Sequence, residues 1–301
     1  MKMIDPHHHI WDMDKNHYGW LEADPPIHIF GDYSEICSNY FIADFQADGA
    51  SSPYELVKSV HIETGYDPSN PPGETAWLDS IATAPASRGM PNAFVAFADF
   101  LDPNVDAVLA GHAAFANTRG IRQILNSGVD NPHLNFIERG DLMTDPQWRE
   151  GYAHMANYTM SFDLQIWPWQ MEMAAAMVGD FPEVPVIINH TGMPLAYSYA
   201  SFKQWEDGMA LLAEHAHVSV KISGLPMTMP NWTVDDIRPY VLRTIELFGM
   251  ERCMFASNYP VDGIFSTYTE LWAGFDEVTK DFSDDERSKL FHDNAERIYR
   301  I

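Results

Sequence analysis

Cysteine is nearly absent from this chain. Cys37 and Cys253 are its only two among 301 residues and lie far apart, so a disulfide framework is excluded as the source of stability. Basic residues are scarce as well. The 18 Lys and Arg face 43 Asp and Glu, a formal net charge of −25. Such a chain repels phosphate backbones and anionic lipid, so nucleic acid and membrane are set aside as partners. No apolar run approaches the roughly 18 residues that a membrane helix needs. No secretory leader is read ahead of Ile4, and the expectation is a cytoplasmic protein. Internal repeats and low-complexity tracts do not stand out.

What remains is the composition of a globular protein, 46% hydrophobic and 20% charged. A small molecule is the expected partner, and self-association into a homo-oligomer is left open. Eight short apolar runs rich in β-branched residues succeed one another: Lys2–His9, Leu56–Glu63, Ala93–Asp99, Gly120–Leu125, Ser161–Ile166, Pro185–His190, Val218–Ser223 and Cys253–Asn258. Stretches of helical character separate most of them, among them Val105–Ala116, Glu172–Val178 and Phe202–His215, and Phe291–Tyr299 reads as a closing helix. Strand and helix alternating eight times predict a (β/α)8 TIM barrel, a fold that runs to about 250 residues or more as one domain. Residues 1–301 are therefore expected to form a single domain. About 50 residues separate the first run from the second, more than a plain βα unit requires. Trp11 through Pro53 is thus expected to hold a long β1–α1 insertion, rich in aromatic, Pro and Asp residues. A second Pro/Gly-rich loop is expected over Tyr66–Gly73.

Barrel sites form at the carboxyl ends of the strands. His7 and His9 are spaced i, i+2 in Asp5-Pro6-His7-His8-His9, and alternate residues of a strand face one side. His8 should point away. His190 ends the apolar run Val186-Ile187-Ile188-Asn189. Other strand ends add Glu63, Arg122, Gln165, Trp167, Lys221 and Asn258, with Asp262 in the loop after the last. Two strand-end histidines joined by a distant third suit metal ligation or proton transfer. His7, His9 and His190 are the candidate metal ligands. His190, Glu63, Arg122 and Asn258 are the candidate catalytic groups. Trp167, Gln165, Tyr66, Lys221 and Asp262 are the candidate substrate contacts.

The opening Ile4-Asp5-Pro6-His7-His8-His9-Ile10-Trp11 resembles that of the amidohydrolase superfamily. Gly120-Ile121-Arg122-Gln123-Ile124-Leu125, Asn189-His190-Thr191-Gly192-Met193-Pro194, Val220-Lys221-Ile222-Ser223-Gly224-Leu225 and Ala256-Ser257-Asn258-Tyr259-Pro260 narrow the resemblance to its "amidohydrolase 2" group. That group comprises predicted metal-dependent TIM-barrel hydrolases, including fuconolactonase and 2-pyrone-4,6-dicarboxylate lactonase. The resemblance implies hydrolysis of a lactone, from a sugar acid or a ring-cleavage product, by an activated water. One departure stands out. The family usually ends its eighth strand in Ser-Asp-Trp-Pro, whereas Asn258 occupies the aspartate position here. A neutral amide is neither a base near pH 7 nor a strong ligand for a divalent cation. The expectation is one divalent metal, zinc or manganese, or a metal-independent site. Rival readings are a metal-dependent decarboxylase of an aromatic acid and a non-catalytic ligand-binding barrel.

Overall fold

The computed structural model describes residues 1–128, 131–195 and 199–301. Eight parallel strands pair in chain order: β1 Lys2–His8, β2 Glu55–Ile62, β3 Ala93–Phe97, β4 Thr118–Ile124, β5 Ser161–Gln165, β6 Val186–Ile188, β7 Val218–Ile222 and β8 Cys253–Phe255. The strands and helices form the (β/α)8 barrel that the alternation predicts. The last seam is closed by residues just past β8. His8 bridges Tyr259 in parallel, the Asn258 N–H donates to the His7 carbonyl at 2.8 Å, and the His9 N–H donates to the Tyr259 carbonyl at 2.8 Å. Barrel closure and the first histidine pair therefore share one set of backbone bonds.

The strands are buried on both faces, which is why they read as continuous apolar runs. Val60, Ile62, Val95, Ile187 and Met254 pack with Ile4 and with Tyr299 of the C-terminal helix Asn294–Tyr299, filling the barrel. Phe94, Ile121, Phe162, Val220 and Phe255 face outward onto the helices, against Leu109, Trp148, Trp205 and Phe275. A third apolar cluster, including Trp11, Tyr18, Tyr33, Trp167, Met227 and Val261, sits over the mouth.

The long β1–α1 insertion expected within Trp11–Pro53 is present, but it ends before Pro53, because helix α1 occupies Ile42–Ser51. The Phe41 N–H donates to the Asp44 carboxylate at 2.8 Å and fixes its start. Its short, Asp- and Gly-bearing sequence hides the helical period. The true β1–α1 loop is 9–41. The Pro/Gly-rich stretch after β2 also stops early, since helix α2 begins at Pro71 and runs to Ala82. Proline suits the first turn, where its missing N–H costs nothing. Among the described residues, no helix is long and apolar enough to cross a membrane.

Candidate active site

A cavity of about 250 Å³ opens at the carboxyl ends of the strands. Its floor is His9, Glu63, Arg122, Gln165, His190 and Asn258; Trp20, Tyr33, Ile124, Phe136, Met227 and Val261 form much of its upper wall. His7 lies directly beneath. Its ring centroid is 5.1 Å from that of His9 and 4.5 Å from that of His190. The i, i+2 argument thus holds: His7 and His9 lie together, while His8 turns outward and stacks on Phe45 at 3.8 Å.

Burial lowers the pKa of all three clustered histidines well below the usual imidazole range. Neighbouring charge on Lys221 and Arg122 and the other imidazoles push the same way. They are neutral near pH 7. The His9 Nδ1 lies 2.8 Å from the Ile62 carbonyl, so that nitrogen carries the proton and Nε2 faces Asn258 at 3.3 Å. The Nδ1 of His190 is held by the Ser223 hydroxyl at 3.2 Å, leaving Nε2 for the cavity. His190, Thr191 and Met193 have φ of 53°, 56° and 52°, and Asn258 has 58°. A β-branched residue there is strained. Bonds from the Trp205 indole to the Thr191 carbonyl at 2.7 Å and from the Thr191 hydroxyl to the Ser223 carbonyl at 3.0 Å hold the turn. Gly224 completes it: a Cβ there would stand 2.6 Å from the Cβ of His190.

Opposite the histidines, Arg122 is clamped. Its Nε donates to Glu63 Oε1 at 2.7 Å, one terminal nitrogen to the Glu63 carbonyl at 2.6 Å and the other to Gln165 Oε1 at 3.1 Å. The second Glu63 oxygen accepts the Gly65 N–H at 2.8 Å. Both carboxylate oxygens are thus engaged, which makes Glu63 an anchor for Arg122 more than a proton acceptor.

Four expected substrate contacts do not reach the wall. Trp167 is fully buried, donating its indole N–H to the Leu134 carbonyl at 2.8 Å and stacking on Trp169. Tyr66 packs outside against Tyr18. Lys221 sits one layer down, with Nζ 2.5 Å from the Asp163 carboxylate. Burial lowers its pKa to about 8 against the pull of that carboxylate. Asp262 is fully buried behind Asn258, whose amide nitrogen donates to it at 2.9 Å. Burial raises its pKa well above the carboxylate range. Only Gln165 of the five lines the cavity. The apolar wall residues were not singled out from the sequence. The aromatic richness of the first loop pointed to Trp20 and Tyr33 only as part of a segment.

The three histidines are together and both ring nitrogens of buried His7 lack a partner, yet among the described residues no three His, Cys, Asp or Glu side chains stand where one ion could take them all. The position that would add a carboxylate holds Asn258, whose amide nitrogen is committed to Asp262.

A barrel with histidines from its first and sixth strands and a clamped arginine from its fourth, converging on one carboxyl-end cavity, is a hydrolase-type scaffold. A family model described as Amidohydrolase matches residues 4–301, and the chain belongs to that family. It is similar to an uncharacterised Sinorhizobium fredii protein, y4mH, at 44% identity over 99% of this chain and 98% of the other. It is also similar to an L-fucono-1,5-lactonase of Burkholderia ambifaria, at 25% identity over 99% of this chain and 95% of the relative. An amidohydrolase from Burkholderia multivorans, solved with bound zinc, superimposes with a TM-score of 0.80 at 21% identity, each chain fully covered.

Proposed function

We propose that this protein opens a lactone by attack of water on the ring carbonyl, with residues 1–301 acting as one catalytic unit. The observation that carries the reading is the pairing, across one cavity, of a neutral imidazole with a buried guanidinium held by its own carboxylate. Neutral His190 takes a proton from water at Nε2 as the water oxygen bonds to the carbonyl carbon. The remaining N–H groups of Arg122 receive the developing oxyanion. Collapse breaks the ring C–O bond, and His190 returns its proton to the departing alkoxide, giving the hydroxy acid. Gln165 and Glu63 orient Arg122. Asn258, held through its amide nitrogen by Asp262, leaves its Oδ1 beside His9 to accept from the water.

The lactonase names among the relatives support ester rather than amide hydrolysis. No step is routed through a metal. Acid release from a panel of lactones tests the reading, and incorporation of one 18O atom into the product carboxylate from labelled water confirms acyl–oxygen cleavage. Absence of acid release from every lactone, sugar-derived and otherwise, refutes it.

A further inference from the structure

The lactonase reading leaves the substrate class open, and the cavity wall narrows it. We propose that the ring taken here is uncharged and poorly hydroxylated, a lactone carrying alkyl or aryl carbon rather than a polyol chain or carboxylates. The inference rests on the lactonase reading for its chemistry.

Charge comes first. Among the described residues, Arg122 and Glu63 are the only Arg, Lys, Asp or Glu on the wall, and they pair at 2.7 Å. Lys221 is spent on Asp163 in the layer below. Arg122 has five N–H donors, and three are engaged within the protein. The two that remain match one carbonyl oxygen on its way to an oxyanion. A substrate carboxylate would meet only a guanidinium already paired with Glu63, in a chain of net charge −25.

Hydroxyl groups fare little better. A buried hydroxyl must find a partner or lose binding. Many of the polar wall groups already have theirs. Both Glu63 oxygens are engaged, Gln165 Oε1 accepts from Arg122, and the Thr64 hydroxyl donates to Glu74 at 2.6 Å. The Asn258 amide nitrogen donates to Asp262, and the Trp20 indole donates to the Thr64 carbonyl at 2.6 Å. What is left serves the ester itself. The carbon surface of Ile124, Phe136, Met227 and Val261 then favours a hydrocarbon or aromatic substituent.

The test compares kcat/KM, by acid release, for dihydrocoumarin and a δ-alkyl lactone against L-fucono-1,5-lactone and 2-pyrone-4,6-dicarboxylate. The expected result is at least about a 100-fold preference for the neutral apolar rings. Equal or better turnover of the sugar lactone or the dicarboxylate overturns the inference and leaves the lactonase reading standing. If no lactone turns over, the lactonase reading fails by itself, and binding decides the rest. 3,4-Dihydro-2-quinolinone, the unreactive lactam of dihydrocoumarin, should then bind at least about 30-fold tighter by calorimetry than a polyhydroxylated δ-lactam. The reverse order, or no binding of either, overturns the inference.

Discussion

Replacing Arg122 by methionine separates two roles that the geometry assigns to one side chain. Arg122 and Glu63 are 5% and 4% exposed at their side chains, and their charges meet at 2.7 Å. Removing the guanidinium strands the Glu63 carboxylate with only the Gly65 N–H, and also frees the Glu63 carbonyl and Gln165. Breaking a buried pair in this way costs about 3–5 kcal/mol. With about 2.1 cal/mol/K of unfolding entropy per residue over 301 residues, a loss of about 4 kcal/mol lowers Tm by about 6 °C. Adding Glu63→Gln removes the stranded charge, so the double variant should melt well above the sum of the two single losses. Turnover behaves differently. The double variant still lacks the oxyanion donor, so kcat stays down by about 10²–10³. Thermal melts and acid release on all four proteins complete the cycle. Additive Tm losses, or an Arg122→Met enzyme that melts and turns over like the wild type, would refute the clamp.

Gly224→Ala places a methyl against His190 at a position with φ of 65°. It should lower kcat by about 10-fold or more with KM little changed, and steady-state kinetics that match the wild type would contradict the seating of His190. Burial raises the Glu74 pKa to about 8 from 4.5, with the Glu63 charge adding to the effect. The native state therefore keeps a proton that the unfolded chain releases. Its stabilising effect is complete below about pH 4.5 and disappears as pH rises to about 8, on the order of a few kcal/mol in all. Glu74→Gln should flatten that slope in denaturant titrations run between these limits; an unchanged slope rejects the assignment. Asn258→Asp adds the missing anionic ligand, and calorimetry on metal-stripped protein should show zinc bound at least about 10-fold tighter than by the wild type. Equal affinities would mean that Asn258 is not what weakens the site.

The barrel was legible because its strands are buried on both faces and so spell unbroken apolar runs. The His7/His9 pair was legible because period-two geometry needs no tertiary information. Lys221 shows where such reading stops. It lies near the end of its strand, as His190 lies just beyond its own, yet strand tilt drops it one layer below the mouth, where Asp163 waits. Trp167 was misplaced for a related reason: its indole N–H finds a loop carbonyl, Leu134, that no local pattern announces. Asp262 follows Asn258 by one turn and therefore folds behind it rather than into the cavity. Trp20 and Tyr33 come from the first loop, Phe136 from the stretch after β4 and Met227 from that after β7. Their meeting depends on how those loops cross the mouth, which periodicity does not encode.

The central claim is that His190 moves the proton. The most direct measurement is kcat for His190→Ala on the best lactone found, with circular dichroism confirming the native fold. A loss of about 10²-fold or more in kcat is expected. Near-native turnover by the folded variant would contradict the account.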